Sequence, residues 1–413
     1  MIIKNTFYRS TFSSIILGLA LMLNACSEPQ TAKPPLSMGQ LMSSSSQQDK
    51  AYTQVDKDKA IVFPLDHLAH DNFRQEWWYL TANLKTEQGK KLGLQWTQFR
   101  IAMAPDPLHS TPSISHLKIS SNQPLLTKDN EPSWISNQLY MAHAAVTSTS
   151  QHFAAEKWSR QHPQLANVSS NPLTIKIDDW RWTGEGNTLF PATLEVAGEQ
   201  FSYQLTLHSN APYQRQGNQG YSVKSADGTV ASHYYSQPYI QVSGKVTLQG
   251  ELHQITGQAW LDREWSSQFL NKTQAGWDWF ALRLDDGSTL MLFQLRNTTE
   301  PSDTRSHTNR DSDSNSHHEY KPNFYSGRRM FADGSGHNIE SKNITLTAKD
   351  WHQIDATRYP TSWQISIPSE NIDIETHALN PNAKMSLSIP YWEGPVLISG
   401  SHQGEGYLEL TGY

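Results

Sequence analysis

Apolar positions along this chain recur mostly with a period of two. Short alternating runs, bounded by Gly, Asn, Asp or Pro, dominate residues 60–413, and the wider spacing of an amphipathic helix is scarce. The pattern predicts strands over 90–100, 173–177, 201–207, 239–248, 289–296, 339–347 and 363–367. A last strand over 406–413 closes a sheet. The Ala and His content of 137–157 predicts one short helix. Asp286-Gly287 predicts a tight hairpin turn in which both central residues take positive φ.

Two of these runs echo one another. Trp78-Tyr79-Leu80 leads through a turn to Leu94-Gln95-Trp96-Thr97-Gln98-Phe99-Arg100. Trp279-Phe280-Ala281-Leu282 leads through Asp286-Gly287 to Leu290-Met291-Leu292-Phe293-Gln294-Leu295-Arg296. Both are aromatic-led hairpins ending in Gln-apolar-Arg, as expected of two β-domains of related build. Their boundary is expected near 236–244, giving domains over 60–238 and 239–413. Residues 297–320 are polar and almost free of apolar side chains, the composition of a disordered surface insertion. His317 and His318 at its end read as exposed loop residues, and no metal or other cofactor is expected.

The N-terminus reads as an export signal. Lys4 and Arg9 precede a short apolar stretch, 15–23, too short to span a bilayer as a helix. Leu23-Asn24-Ala25-Cys26 resembles a bacterial lipobox, in which the cysteine is diacylated and becomes the new N-terminus. Cys26 is the only cysteine, so no internal disulfide forms. More than one acyl chain anchors a protein stably, and Ser27 resembles an outer-membrane sorting signal. The expectation is a lipid-anchored protein of the bacterial cell envelope, on the outer membrane facing the periplasm. Residues 26–59, rich in Ser, Gln, Pro and Lys, form its tether. Cleavage removes two basic residues and no acid, moving the formal charge from −6 to −8. That charge, without any basic run, argues against a nucleic-acid partner.

One pairing exceeds chance. Acids adjoin tryptophans at Glu76-Trp77-Trp78, Glu264-Trp265, Trp277-Asp278-Trp279, Trp392-Glu393, Asp179-Trp180 and Asp350-Trp351. The 14 tryptophans have seven acidic neighbours where composition predicts roughly 2.6. A carboxyl group against an aromatic wall is desolvated, and its proton affinity rises. Such pairs make general acids. They also arise wherever core tryptophans alternate with solvated acids on strands. On a strand, Trp277 and Trp279 share one face and Asp278 takes the other. Trp260, Asp262 and Glu264 likewise share a face. If that face lines a barrel cavity, it presents an indole beside one or two carboxyl groups. No Gly-x-Ser-x-Gly elbow, His-Glu-x-x-His motif or phosphate-binding loop is present, which excludes the usual serine hydrolases and nucleotide enzymes.

Three ordered blocks then carry a resemblance. They are Phe63-Pro64-Leu65-Asp66-His67 through Glu76-Trp77-Trp78-Tyr79-Leu80-Thr81, Val242-Ser243-Gly244 through Trp260-Leu261-Asp262-Arg263-Glu264-Trp265-Ser266-Ser267-Gln268, and Gly276-Trp277-Asp278-Trp279-Phe280. With the C-terminal 406–413, they resemble the AttH and carotenoid 1,2-hydratase-like family of secreted, hydrolase-labelled proteins. The resemblance implies an all-β fold of two consecutive lipocalin-like antiparallel β-barrel domains. In the hydratases a His-x-Trp pair and a Tyr-x-Asp pair are implicated, the Asp as proton donor. Here His233-Tyr234-Tyr235 and Trp260-Leu261-Asp262 match them, with Tyr235 replacing Trp and Trp260 replacing Tyr.

The resemblance therefore implies Asp262 as acid, His233 tuning it or positioning water, and Tyr235, Trp260 and Trp277 as an aromatic wall. Glu76, Trp78, Glu264, Trp277 and Trp279 are the candidate ligand-binding residues. Glu76 reads equally as a lock that bonds tryptophan N–H groups, and Asp278 and Glu393 read as fold signatures. Protonating an isolated alkene needs an uncharged acid and a pocket that tolerates a carbocation, and aromatic faces supply roughly 2 kcal/mol toward the latter when desolvated. The expected function is a hydratase- or hydrolase-like enzyme for an apolar isoprenoid- or lipid-like molecule. A non-catalytic lipid carrier is the alternative, and glycan processing by paired carboxylates a third. The family also includes pericyclase-like proteins, so the fold alone does not fix the chemistry.

Overall fold

The computed structural model describes residues 51–105, 136–268, 270–271, 273–297 and 323–413. Strand β1 (Gln75–Thr86) shows how they are organised. Trp78, Leu80, Ala82 and Leu84 turn to one side, Trp77 and Tyr79 to the other, and both sides are buried. A strand with two buried faces must be covered twice, and two antiparallel sheets do this.

The first sheet holds β1, β2 (Lys91–Ala102), β3 (Gln138–Ser148), β4 (His152–Arg160), β5 (Ala166–Ser169), β6 (Thr174–Ile177) and β7 (Trp180–Gly184). It continues with β8 (Ala192–Ala197), β9 (Phe201–His208), β10 (Gln214–Arg215), β11 (Tyr221–Val223), β12 (Ala231–Leu248) and β13 (Glu251–Ser266). Its order is β4-β3-β2-β1-β13-β12-β9-β8-β7-β6-β5, with β10 and β11 on β12. The sheet curls until its far ends meet through side chains. Lys157 Nζ lies 2.6 Å from Asp178, and Gln98 Nε2 donates to the Lys176 carbonyl at 3.2 Å.

The second sheet holds β14 (Gln274–Leu284), β15 (Thr289–Asn297), β16 (Phe324–Met330), β17 (Gly336–Ile339) and β18 (Thr345–Ile354). β19 (Thr357–Ile367), β20 (Ile372–Ala378), β21 (Lys384–Met385), β22 (Tyr391–Gly400) and β23 (Gly404–Leu410) complete it. Its order is β17-β16-β15-β14-β23-β22-β20-β19-β18, with β21 on β22. In each sheet the first strand pairs with both the second and the last, so the echoed hairpins occupy equivalent places. Each hairpin's closing arginine pairs with an acid of its own opening strand, Arg100 with Glu76 and Arg296 with Asp278.

Three apolar clusters result. One fills the first barrel around Trp78, Trp96, Trp180 and Trp182, and one fills the second around Phe280, Trp363 and Trp392. The third lies between the sheets and joins Trp77, Tyr79, Phe99, Tyr234 and Trp260 to Trp279, Phe293, Tyr391 and Tyr407. Gly93 permits this close approach, because a Cβ there would stand 2.4 Å from Pro395 Cγ and 2.8 Å from the Tyr407 hydroxyl.

The all-β, two-barrel expectation therefore holds, and four details differ. The segment expected as a helix is the β3–β4 hairpin. Ala142, Ala144 and Ala155 serve the barrel interior, where Ala144 faces the bulk of Trp96 on the neighbouring strand, and Ala145 and Ala154 face the seam between the sheets. The expected hinge at 236–244 lies inside β12, whose pairing with β13 shifts register between Gln237 and Ile240 and then resumes; the first sheet's last strand ends at Ser266 and the second sheet's first begins at Gln274. A break within β12 would have exposed the β12–β13 ladder. The expected strand over 339–347 is interrupted by a 3-10 turn, Ser341–Asn343. Asp286-Gly287 does make a hairpin, but only Gly287 has positive φ, and its N–H donates to the Leu284 carbonyl. A three-residue loop needs one such residue where a two-residue loop needs two.

The end of the proposed tether is docked rather than free. The Tyr52 hydroxyl donates to the Ala102 carbonyl at 3.0 Å, and Thr53 N–H to the Asn72 carbonyl. The export signal, Cys26 and residues 298–320 of the proposed insertion lie outside the described residues.

Candidate functional site

The seam between the sheets opens into a cavity of about 620 Å³ counted out to its mouth. Strand alternation decides what it contains. From the first sheet, Trp77, Tyr79, Thr97, Phe99, Tyr234, Asp262 and Glu264 face it, joined by Lys224 from the loop after β11. From the second come Trp277, Trp279, Phe293, Leu295, Tyr391, Glu393 and Glu409. The wall is aromatic, with four carboxyl groups set into it.

Asp262 is 2% exposed. Its Oδ1 accepts from Trp260 Nε1 at 2.8 Å and from the Ser236 hydroxyl, and its Oδ2 accepts from the Tyr234 hydroxyl at 2.8 Å. Trp279 Nε1 donates in turn to the Tyr234 oxygen at 3.3 Å, tying the acid to the second sheet. Burial pushes the Asp262 carboxyl up to about 7, although the three donors and the Glu264 charge act on it too, the donors downward. Desolvation outweighs hydrogen bonding here because, among the described residues, no cation is paired with the group. Glu264 differs: Lys224 Nζ lies 2.8 Å from its Oε1, and the Ser232 hydroxyl donates to the same oxygen.

On the facing wall Glu393 and Glu409 are direct cross-strand partners. The Tyr79 hydroxyl donates to Glu393 Oε1 at 2.6 Å, and Trp277 Nε1 to Glu409 Oε1 at 3.1 Å. Glu393 Oε2 is buried without a hydrogen-bond partner. Burial, and for Glu393 the neighbouring Glu409, hold both carboxyl groups above the ordinary range.

The structure thus brings together Asp262, Glu264, Trp277 and Trp279, with Trp260 directly behind the acid. It separates them from His233, Tyr235, Glu76 and Trp78, which point into the first barrel. His233 packs against Phe73 and Trp265, and burial pushes it down to about 4. The Tyr235 hydroxyl bonds His67 Nδ1 at 2.7 Å. The residue between them, Tyr234, is the one that meets Asp262, because neighbours on β12 face opposite ways.

Glu76 binds no tryptophan. It pairs with Arg100 and Arg263 and accepts from the His70 N–H at 2.9 Å, a buried ionic lock inside one barrel. Trp78 Nε1 donates to the His67 carbonyl and its ring lies under Arg263. Glu393, expected as a fold signature, faces the cavity, whereas Asp278 turns inward to Arg296, Gln294 and Tyr413. Lys224, Tyr234 and Glu409 escaped sequence reasoning. For Glu409 a signal existed: an acid set directly between Leu408 and Leu410 at the end of the last strand.

Comparison with known proteins follows this geometry. The sequence model described as AttH-like matches residues 54–321 and 314–413. The crystal structure of a protein described as an AttH, from Nitrosomonas europaea, superposes with a TM-score of 0.68 at 29% identity, over 87% of this chain and 99% of that one. Kievitone hydratase from Nectria haematococca superposes with a TM-score of 0.58 at 11% identity, over 87% and 95% of the two chains, a likeness of fold. No curated protein matches this sequence.

Proposed function

This chain belongs to the AttH-like family, and on that premise we propose that it is a hydratase-like enzyme acting on an apolar, isoprenoid- or lipid-like alkene. The observation that carries the reading is Asp262, a buried carboxyl on an aromatic cavity with its proton affinity raised to about 7. Near neutral pH about half of such a group is uncharged, and that form can donate a proton.

In the proposed reaction the alkene π pair takes the proton of Asp262, forming a C–H bond and a carbocation. The new carboxylate keeps three donors, Tyr234, Ser236 and Trp260, which stabilise it once formed. Indole and phenol faces around the cavity stabilise the cation. Water adds to the cation and returns its surplus proton to Asp262, restoring the acid. The lipid-anchor reading belongs to the same proposal: acylated Cys26 would hold the enzyme at the outer membrane, where apolar substrates concentrate.

The test is incubation with isoprenoid and lipid alkenes in heavy-oxygen water. Mass spectrometry should find products that gained one labelled water. Asp262→Asn should abolish the gain while ligand binding and folding persist. Unchanged turnover in that variant removes the acid role. Tight binding without chemical change in either protein supports the carrier reading, which the apolar wall also suits.

A further inference from the structure

We infer that the cavity between the sheets is a binding site for an apolar organic cation, an ammonium group attached to a hydrocarbon chain. Lys224 already shows a cation held there. Its Nζ lies 2.8 Å from Glu264 Oε1, 4.8 Å from the Tyr234 ring centroid and 4.3 Å from that of Phe293. Aromatic faces and a carboxylate hold a cation strongly where water is excluded.

The facing wall repeats this arrangement without a cation. Glu393 and Glu409 sit side by side next to Tyr79 and Trp277, and among the described residues no Lys or Arg acts on either. Glu393 is 1% exposed, and its Oε2 accepts no well-formed hydrogen bond, the Tyr391 hydroxyl being the other group beside Tyr79 that acts on the carboxyl. An ammonium N–H reaching that oxygen would satisfy it and would lie among indole and phenol rings.

With no such cation, burial first and the repulsion between neighbouring carboxylates second keep both carboxyls protonated near neutral pH, Glu409 up to about 8. A cation reverses this and drives a proton out. The other groups facing the cavity leave that response to the carboxyls. Burial keeps Tyr79, Tyr234 and Tyr391 neutral, and His143, bonded to Tyr391, is pushed down to about 4. Asp262 ionises at about 7 and adds to the pull on a cation above that pH. The inference shares its cavity with the hydration reading but does not need the proton donor.

Calorimetry with octylammonium and octan-1-ol, equal in chain length and unequal in charge, tests it. At about pH 8.5 the ammonium should bind on the order of tenfold more tightly than the alcohol. The preference should shrink at about pH 6, and buffers of different ionisation heat should report proton release on ammonium binding. The double variant Glu393→Gln, Glu409→Gln should lose the preference while still binding octan-1-ol. If that variant does not fold, Glu393→Gln alone must weaken the preference. Asp262→Asn should lose labelled-water incorporation but only part of the preference, whereas the glutamine variants should lose the preference itself, which separates the two proposals. Equal affinity for the two probes, no binding of either, or a preference that survives the glutamine variants overturns the inference.

Discussion

Replacing Asp262 by Asn should stabilise the protein above neutral pH while abolishing its proposed chemistry. The folded carboxyl binds its proton up to about pH 7, against an ordinary 3.8. A carboxyl whose affinity is raised by folding adds most stability below the unfolded value, and that contribution is lost as pH rises through the folded value. The window is therefore about pH 4 to 7. The difference, at about 1.4 kcal/mol per pH unit, amounts to about 4 kcal/mol. Asn is isosteric and does not ionise, so it escapes this loss. It puts an amide N–H₂ against the Tyr234 oxygen, which already accepts from Trp279. The tyrosine proton then lacks a partner, a cost of about 1–2 kcal/mol. The net expectation at pH 8 is a variant about 2–3 kcal/mol more stable than the parent, falling to a small deficit near pH 4. Urea unfolding followed by tryptophan fluorescence at several pH values measures this. A stability difference that does not change with pH, or an Asn variant weakened equally at both ends, refutes the claim that burial holds Asp262 protonated.

Three further outcomes follow from the geometry. Glu76→Gln should cost about 3–5 kcal/mol by stranding Arg100 and Arg263 in the barrel. Burial opposes ionisation of Glu76, but the two arginines outweigh it and hold the carboxyl well below its ordinary range. The deficit should therefore be seen in urea unfolding at pH 7 and fade only in strong acid. Tyr234→Phe removes a donor from Asp262 and should raise its titration, followed by the carboxyl carbon-13 resonance. Tyr235→Phe loses the bond to His67 and a long one to the Asp66 carbonyl, about 1 kcal/mol of stability, and should leave that titration unmoved. Gly93→Ala drives a methyl group into Pro395 and Tyr407 and should destabilise by about 1–3 kcal/mol, read as a lower urea midpoint.

Much of the fold was legible because a period of two is a local property. Strands 201–207 and 289–296 fall almost where alternation puts them, as β9 and β15. The faces of β1 and β12 were not legible, for a physical reason. Alternation tells inside from outside only when one side is wet, and Trp77, Trp78, Tyr234 and Tyr235 are all buried. A reader of β12 can place His233 and Tyr235 on one face but cannot tell that the other face, Tyr234, meets the acid. Asp262 was found because Trp260-Leu261-Asp262 resembles the hydratases' Tyr-x-Asp pair, and the structure adds that the indole on the same face donates to the carboxyl. The β3–β4 hairpin was hidden by its alanines, chosen for room beside Trp96 and at the seam and not for helix propensity.

The location of the site explains the remaining misses. Asp262 and Glu264 lie on the outer wall of one barrel, Glu393 and Glu409 on the outer wall of the other. An acid on the outside of a lone barrel would be a solvated group, as its sequence context suggests. Here Trp279 and Tyr391 of the second sheet close over the first, Tyr79 of the first bonds Glu393 of the second, and water is displaced from both walls. The raised proton affinity of Asp262 is thus tied to docking, since burial is its largest cause and the second sheet closes the cavity that the acid faces. It follows that a substitution at the seam, far from Asp262 but able to part the sheets, should return that carboxyl toward its ordinary range. Gly93→Ala is such a change, and a fall in the Asp262 titration in that variant would separate docking from the local hydrogen bonds, which it leaves in place.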